Sequence, residues 1–226
     1  SLTQVPGSHG KSIAGLKALK EQGLHVHFHA TICSENAESL RDMPVLARDL
    51  GVERFSLNMI IPVGRGLTDD LSVRYREIPA IVEPIAERSK ELGIEFMWYA
   101  PTPLCVFNPV AHQLGNKGCA ACEGLLAIDP RGNVLPCSSW QEPVDSLLKS
   151  SFKDIWFGER ACWLRGKKEA PEECDGCTDF AVCHGACPLY FRVFPEDRAE
   201  LIRREPFIET EETHGVNIHA SGISAS

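Results

Sequence analysis

Positive charge and long apolar runs are both scarce in this 226-residue sequence. Lysine and arginine number 23 against 31 aspartates and glutamates, giving a net charge of -8. Such a surface lacks the basic charge that neutralises phosphates, which excludes broad nucleic-acid binding. No apolar run approaches the roughly 18 residues of a membrane span, so no membrane partner is expected. An initiator methionine and a first strand are also missing. The chain opens SLTQVPGSHGKS, as though its start lay upstream, and so carries no information about a targeting signal.

Cysteine, by contrast, is abundant. There are ten, and of the eight between Cys119 and Cys187 all but Cys162 fall in tight groups. Disulfide frameworks suit small secreted domains that cannot build a core. With 43% hydrophobic residues this chain can build one. Tight grouping then favours metal ligation.

The two halves differ in texture. Residues 1–100 alternate helix and strand. Ile13, Leu16 and Leu19 give one helical face, and HVHFHATI (25–32) follows as a strand. Asn36 is placed to cap the next helix, which turns Leu40, Met43, Leu46 and Leu50 inward and closes at Gly51. Phe55, Leu57, Met59 and Ile61 alternate as in a strand. A helix over roughly 72–92 and the strand IEFMWY (94–99) complete the series. Repeated strand–helix–strand units imply right-handed crossovers and parallel strands, so this half is an α/β layer. Three strands are too few to close a barrel of eight.

Residues 101–195 are loop-rich, with one good helical stretch near 151–166. LLAIDPRGNVLPCSS is a hairpin turning at Asp129-Pro130-Arg131-Gly132. Residues 196–226 become charged, then small and polar, and are expected to form a loosely held tail.

Cys119 and Cys122 form CAAC. Nine residues then lead to Gly132, and four more to Cys137. After a gap comes Cys174-x2-Cys177-x5-Cys183-x3-Cys187. Thiolates are soft, charge-donating ligands, and four of them suit either an iron–sulfur cluster or zinc. A CxxC turn places two sulfurs on one centre. A thiol five residues on can fold back to it, whereas the residue after a further x3 gap is carried past and can serve another centre, as in bacterial ferredoxins.

The frame CX9GX4C, gap, CX2CX5CX3C resembles the SPASM domain, the C-terminal extension of many radical S-adenosylmethionine enzymes. That group includes anaerobic sulfatase-maturating enzymes and peptide maturases. The resemblance implies two auxiliary [4Fe-4S] clusters. Cys119, Cys122, Cys137 and Cys187 would hold the first; Cys174, Cys177 and Cys183 would hold the second. The family frame ends in one more cysteine, and none follows Cys187 here. The fourth ligand of the second cluster is thus unidentified, the candidates being His184, Asp175, Asp197, His214, His219, a water or substrate. Cys33, Cys105 and Cys162 fall outside the frame and are expected to be buried free thiols.

The first half resembles, less specifically, the C-terminal part of the partial (β/α)6 barrel of the same enzymes. GLHVHFHATICSENAE is similar to its fifth strand and GVERFSLNMIIPVGRG to its sixth, with the common Pro-x-Gly-Arg. The expected fold is therefore α/β: the end of a partial barrel (1–100), a cysteine-ligated SPASM domain with a β-hairpin (101–195), and a tail (196–226). The CX3CX2C loop that holds the catalytic cluster is absent, so this chain alone is expected to be inactive. Backbone near Ile60-Ile61-Pro62 would pass the adenine. His25, His27 and His29 share one strand face, and His27, His29, Asn58 and Arg65 are the residues expected to face cofactor or substrate.

The resemblance implies a cytoplasmic enzyme that uses S-adenosylmethionine, in its full-length form, to make a 5′-deoxyadenosyl radical. That radical would take hydrogen from a peptide, protein or small-molecule substrate, with electrons from a donor such as flavodoxin or ferredoxin. Peptide or protein maturation is the favoured activity. The alternatives are tetrapyrrole (haem-biosynthesis) chemistry in the same superfamily, and a non-catalytic zinc- or cluster-binding interaction module.

Overall fold

The computed structural model describes residues 3–67 and 71–202. His214 and His219 lie outside the described residues.

Helix α1 (Ser8–Glu21) precedes strand β1 (Phe28–Ile32). A 3-10 turn at Ser39–Asp42 leads into α2 (Met43–Asp49), then β2 (Arg54–Met59), α3 (Ile78–Glu91) and β3 (Glu95–Trp98). The three strands are parallel in the order β1-β2-β3. The α/β layer expected from the sequence is therefore present.

Register follows from the alternation of side chains. Phe28 pairs with Phe55, and Phe55 with Phe96. These three rings stack across the sheet with centroids 5.5 and 5.0 Å apart. Leu57 and Trp98 continue that buried face, which α2 and α3 cover. The opposite face carries His29 and Thr31 on β1, Ser56 and Asn58 on β2, and Met97 on β3.

Some local expectations give way. Asn36 does not cap a helix. Its Oδ1 accepts from the Cys33 N–H (2.9 Å) and its Nδ2 donates to the Thr31 carbonyl (2.9 Å), closing the turn after β1. The helix starts later, where Pro44 suits a first turn. Among the described residues none of α1 is buried: Ile13 and Leu16 are half-buried and Leu19 is exposed. The helical stretch 151–166 divides into α4 (Phe152–Phe157) and α5 (Glu159–Arg165), because Gly158 is extended. A Cβ on Gly158 would lie 2.8 Å from the Asp154 carbonyl oxygen.

In the second half β4 (Ala127–Ile128) and β5 (Asn133–Leu135) form the expected hairpin. A short third strand, β6 (Asp145–Ser146), was not legible in the sequence. After α4 and α5 come α6 (Phe180–Cys183) and α7 (Pro188–Val193). Helix α7 is too short to persist alone. It is held by packing: Tyr190, Phe191 and Phe194 enter the core built on the three-stranded sheet.

Residues 196–202, expected to be loose, are tied down as far as the structure describes them. Asp197 is 2% exposed and accepts two bonds from the Arg74 guanidinium, at 2.7 and 2.5 Å. It also accepts from the Tyr190 hydroxyl, which in turn accepts from the Tyr75 N–H at 3.0 Å. Burial opposes ionisation of Asp197, but the bonds from Arg74 and Tyr190 outweigh it and hold the carboxyl below the usual range.

Removing one partner of a buried pair strands the other's charge. Asp197→Asn should therefore destabilise the protein by about 3 kcal/mol in urea denaturation at pH 7. The folded-state pKa is lowered, so this contribution is complete above the unfolded carboxyl's pKa of about 4 and is lost as pH falls through the folded value. The gap between parent and variant should shrink below about pH 4. A gap that stays constant on acidification would contradict the assignment.

Candidate metal centre

The thiols fall into two groups. The first is built around the β4–β5 hairpin. Cys122 sits at a tight backbone turn, its N–H donating to the Leu125 carbonyl at 3.0 Å. Cys137 follows β5, and Cys187 immediately precedes α7. Cys122, Cys137 and Cys187 pack in one apolar cluster with Trp140, Ala161, Leu164 and Leu189. Burial pushes the Cys187 thiol up to about 12, and Cys119 and Cys137 add to the effect. Burial also raises Cys122 and Cys137, and Cys119 raises both further. The four thiols expected at the first cluster thus sense one another.

Cations surround this group. Arg165 donates to the Cys122 carbonyl at 3.0 Å and to the Trp156 carbonyl at 2.5 Å. Lys167 donates to the Cys119 carbonyl at 2.6 Å and to Glu123 at 2.7 Å. Arg160 and Arg165 both act to lower the Cys122 thiol. Such charges stabilise thiolates and the net negative charge of any thiolate-bound centre.

Gly132 in the hairpin explains the glycine within the cysteine spacing. Its φ is +78°, which L side chains rarely adopt. A Cβ there would lie 3.0 Å from Leu148 Cγ. Asp129 Oδ1 accepts from the N–H groups of Arg131 and Asn133 at 2.8 and 2.9 Å, and so shapes the same turn.

The second group lines a separate small cavity. Its walls include Cys174, Cys177 and Cys183, together with Cys105. The Leu104 N–H donates to Cys183 Sγ at 3.4 Å. Burial pushes the Cys174 thiol up to about 12, followed by the charges of Cys183, Cys105 and Cys177. Glu173 and Asp179 also line this cavity. Its electrostatic character is therefore opposite to that of the first group.

The candidates for a fourth ligand separate here. Asp197 is engaged with Arg74 and Tyr190. His184 packs on Gly118, beside the first group, where its Nδ1 would lie 2.8 Å from a Cβ on that glycine. Asp175 is exposed and is not among the residues lining the cavity. The expectation of three buried free thiols holds for Cys33 alone. Cys162 is exposed, and Cys105 is half-buried at the second cavity. Cys105 had a signal in the sequence, as a single thiol in the proline-rich TPLC between the two halves. Spacing gives it no partner, and only folding brings it to the others.

Among the described residues, no three of His, Cys, Asp and Glu converge as ligands of a single ion would. Thiols that line a cavity fit the donor chemistry of iron–sulfur clusters, whose volume separates their ligands.

The sheet residues are placed as follows. His27 is exposed just before β1. His29 Nδ1 lies 2.8 Å from Ser56 Oγ, and the ring meets Tyr99 edge-on at 6.3 Å. Asn58 lines a cavity of about 40 Å³ with Ile60, Ile61, Pro62 and Cys187, and its buried Oδ1 has no hydrogen-bond partner among the described residues. Arg65 lines a different, open cleft of about 710 Å³ with Thr31, Glu35 and Asn36. The cleft is of ligand size. Ile60 borders both spaces, while His27 and His29 are not among the residues lining either.

Residues 119–178 match the family model described as SPASM, an iron–sulfur cluster-binding domain. Over that segment the chain is similar to a SPASM domain, and its relatives below include proteins named for AdoMet-dependent chemistry. It is 28% identical over 231 residues to a PqqA peptide cyclase of Xanthomonas campestris pv. campestris, covering 96% of this chain and 58% of that protein. An AdoMet-dependent heme synthase of Nitratidesulfovibrio vulgaris is 22% identical over 221 residues, covering 87% and 58%. The chain thus spans a little over half the length of these curated relatives. The crystal structure of Streptococcus suis SuiB bound to precursor peptide SuiA superposes with a TM-score of 0.58 at 14% identity, covering 86% of this chain and 47% of that one. Native anSMEcpe with bound AdoMet gives 0.57 at 11% identity, covering 85% and 59%. At these identities the two structures speak for the fold.

Gly132→Ala should cost about 1–2 kcal/mol, the usual penalty for a side chain forced to positive φ. Thermal denaturation checks it. An unchanged midpoint would mean that the hairpin turn relaxes freely.

Proposed function

We propose that this chain is the cluster-bearing part of a radical enzyme that modifies a peptide or protein. Residues 1–100 form the end of its partial barrel, 101–195 its SPASM domain and 196–226 its tail. One observation carries the proposal. Cys187, from the first thiol group, lines the cavity beyond the carboxyl ends of β2 and β3, beside Asn58 and Tyr99. Sites in parallel α/β sheets form at that end of the strands.

The ligand sets follow the cysteine frame: Cys119, Cys122, Cys137 and Cys187 for one [4Fe-4S] cluster, and Cys174, Cys177 and Cys183 for the other. When bound, such clusters supply one-electron redox capacity. The chain's own residues tune and shield them. Arg160, Arg165 and Lys167 offset negative charge at the first site. Tyr75, fully inside the core, donates its hydroxyl to the Pro101 carbonyl and accepts from the Cys187 N–H at 3.4 Å, which fixes Cys187 against the sheet. Asn58 Oδ1 offers a buried acceptor to a donor group on cofactor or substrate. Arg65 is suited to a carboxylate or phosphate in its cleft. S-adenosylmethionine and a donor such as flavodoxin or ferredoxin serve the whole enzyme.

A peptide or protein substrate is favoured by the peptide cyclase among the relatives and by the peptide-bound structural neighbour. The second reading, tetrapyrrole chemistry, is favoured by the heme synthases. The whole enzyme should be incubated anaerobically with S-adenosylmethionine, reductant and either a peptide encoded beside its gene or a porphyrin. A mass change in the peptide alone is expected. A change in the porphyrin alone would favour the second reading.

The chain itself, prepared without oxygen, should contain iron and acid-labile sulfide, whereas zinc alone would reduce it to an interaction module. Cationic surroundings favour the reduced state, so the first site should titrate at a higher reduction potential than the second. Potentiometric titration followed by electron paramagnetic resonance measures the order. The reverse order would show that the charges of Arg160, Arg165 and Lys167 do not govern it.

A further inference from the structure

We infer that Cys105 is the fourth protein ligand of the second cluster, in place of the cysteine that the family frame carries after its CX3C step. The inference rests on the reading of Cys174, Cys177 and Cys183 as ligands, and it deepens that reading.

Three observations converge on Cys105. Its side chain lines the same cavity as the three framed thiols. Its backbone neighbour is already in contact with one of them, since the Leu104 N–H donates to Cys183 Sγ at 3.4 Å. The chain at Leu201 and Ile202 closes over the site, lining the same cavity wall as Cys105. Amide donors to sulfur, such as the Leu104 N–H, stabilise a thiolate and tune a bound cluster.

The competitors are weaker on chemistry or on position. Glu173 and Asp179 reach the cavity, but carboxylates are hard oxygen donors and iron in a sulfide cage takes the soft thiolate. Asp197 is held by Arg74, and His184 faces Gly118. Two four-iron sites with all-cysteine ligation need eight thiols. The frame supplies seven, and Cys105 is the eighth at the right place. Ligation forms one iron–sulfur bond and releases the Cys105 thiol proton to solvent, with no change in electron count.

The test uses the anaerobically prepared, cluster-loaded chain and four variants, each with iron and sulfide analysis, paramagnetic resonance and circular dichroism. The parent should hold about eight irons. Cys105→Ala should lose about one to four of them, as the second cluster falls to a three-iron form or leaves, with the first cluster's signal intact. Cys105→Ser, nearly isosteric, should keep the second cluster at a shifted potential. Cys33→Ala, a buried thiol remote from the frame, should match the parent.

Cys177→Ala separates the two levels of the claim. If Cys177→Ala loses the second cluster while Cys105→Ala keeps the parent's iron and spectrum, the Cys105 assignment falls and the ligand reading stands. If Cys177→Ala also leaves the second signal unchanged, the reading falls and the inference with it. Should Cys105→Ala fail to fold, Cys105→Ser decides, and an unshifted potential overturns the assignment.

Discussion

The structure depends on one buried charge. Asp197 receives both arms of Arg74 and the hydroxyl of Tyr190, and Tyr190 stacks on Tyr75 with ring centroids 3.8 Å apart. Arg74 and Tyr75 enter α3, whereas Tyr190 and Asp197 follow the cysteine run. The network therefore joins the sheet half to the thiol half through contacts that neither could make alone. Helix α7, only six residues long, is held by this network together with the core packing of Phe191 and Phe194. Cys187 sits at the start of that helix, and its N–H meets the Tyr75 hydroxyl of the same network at 3.4 Å.

The two thiol groups share donor chemistry and differ in setting. Arginines and a lysine surround the first, while a glutamate and an aspartate line the second. The first adjoins the carboxyl ends of β2 and β3 through Cys187. The second is closed by the TPLC turn on one side and Leu201 and Ile202 on the other. Identical donors placed in opposite fields would hold any bound cluster at different electron affinities.

Much of this was legible because local rules suffice for it. The alternation Phe55, Leu57, Met59 reads as a strand whatever surrounds it, and Phe28 and Phe96 confirm the face once registers are known. The Asp129–Gly132 turn declares itself by proline and by a glycine that must take positive φ. What was not legible is non-local. Asn36 resembles a cap in isolation, yet the carbonyl of Thr31 and the N–H of Cys33 claim it first. The ending near 196–202 reads as polar tail because its one buried acid is paired with an arginine more than a hundred residues earlier. Cys105 reads as a spare thiol because metal spacing rules see only neighbours in sequence.

The closure of the second cavity has a consequence for biosynthesis. Its walls come from residues 103–105, 173–183 and 201–202, so they leave the ribosome at widely separated moments. The first group, apart from Cys187, is laid down around a compact hairpin in the interval. Bringing the ends of so long a loop together carries an entropic penalty that grows only slowly with length, but it is met only when the last wall arrives. The thiols of both groups, Cys187 included, are therefore all made before Leu201 and Ile202 complete the walls of the second cavity.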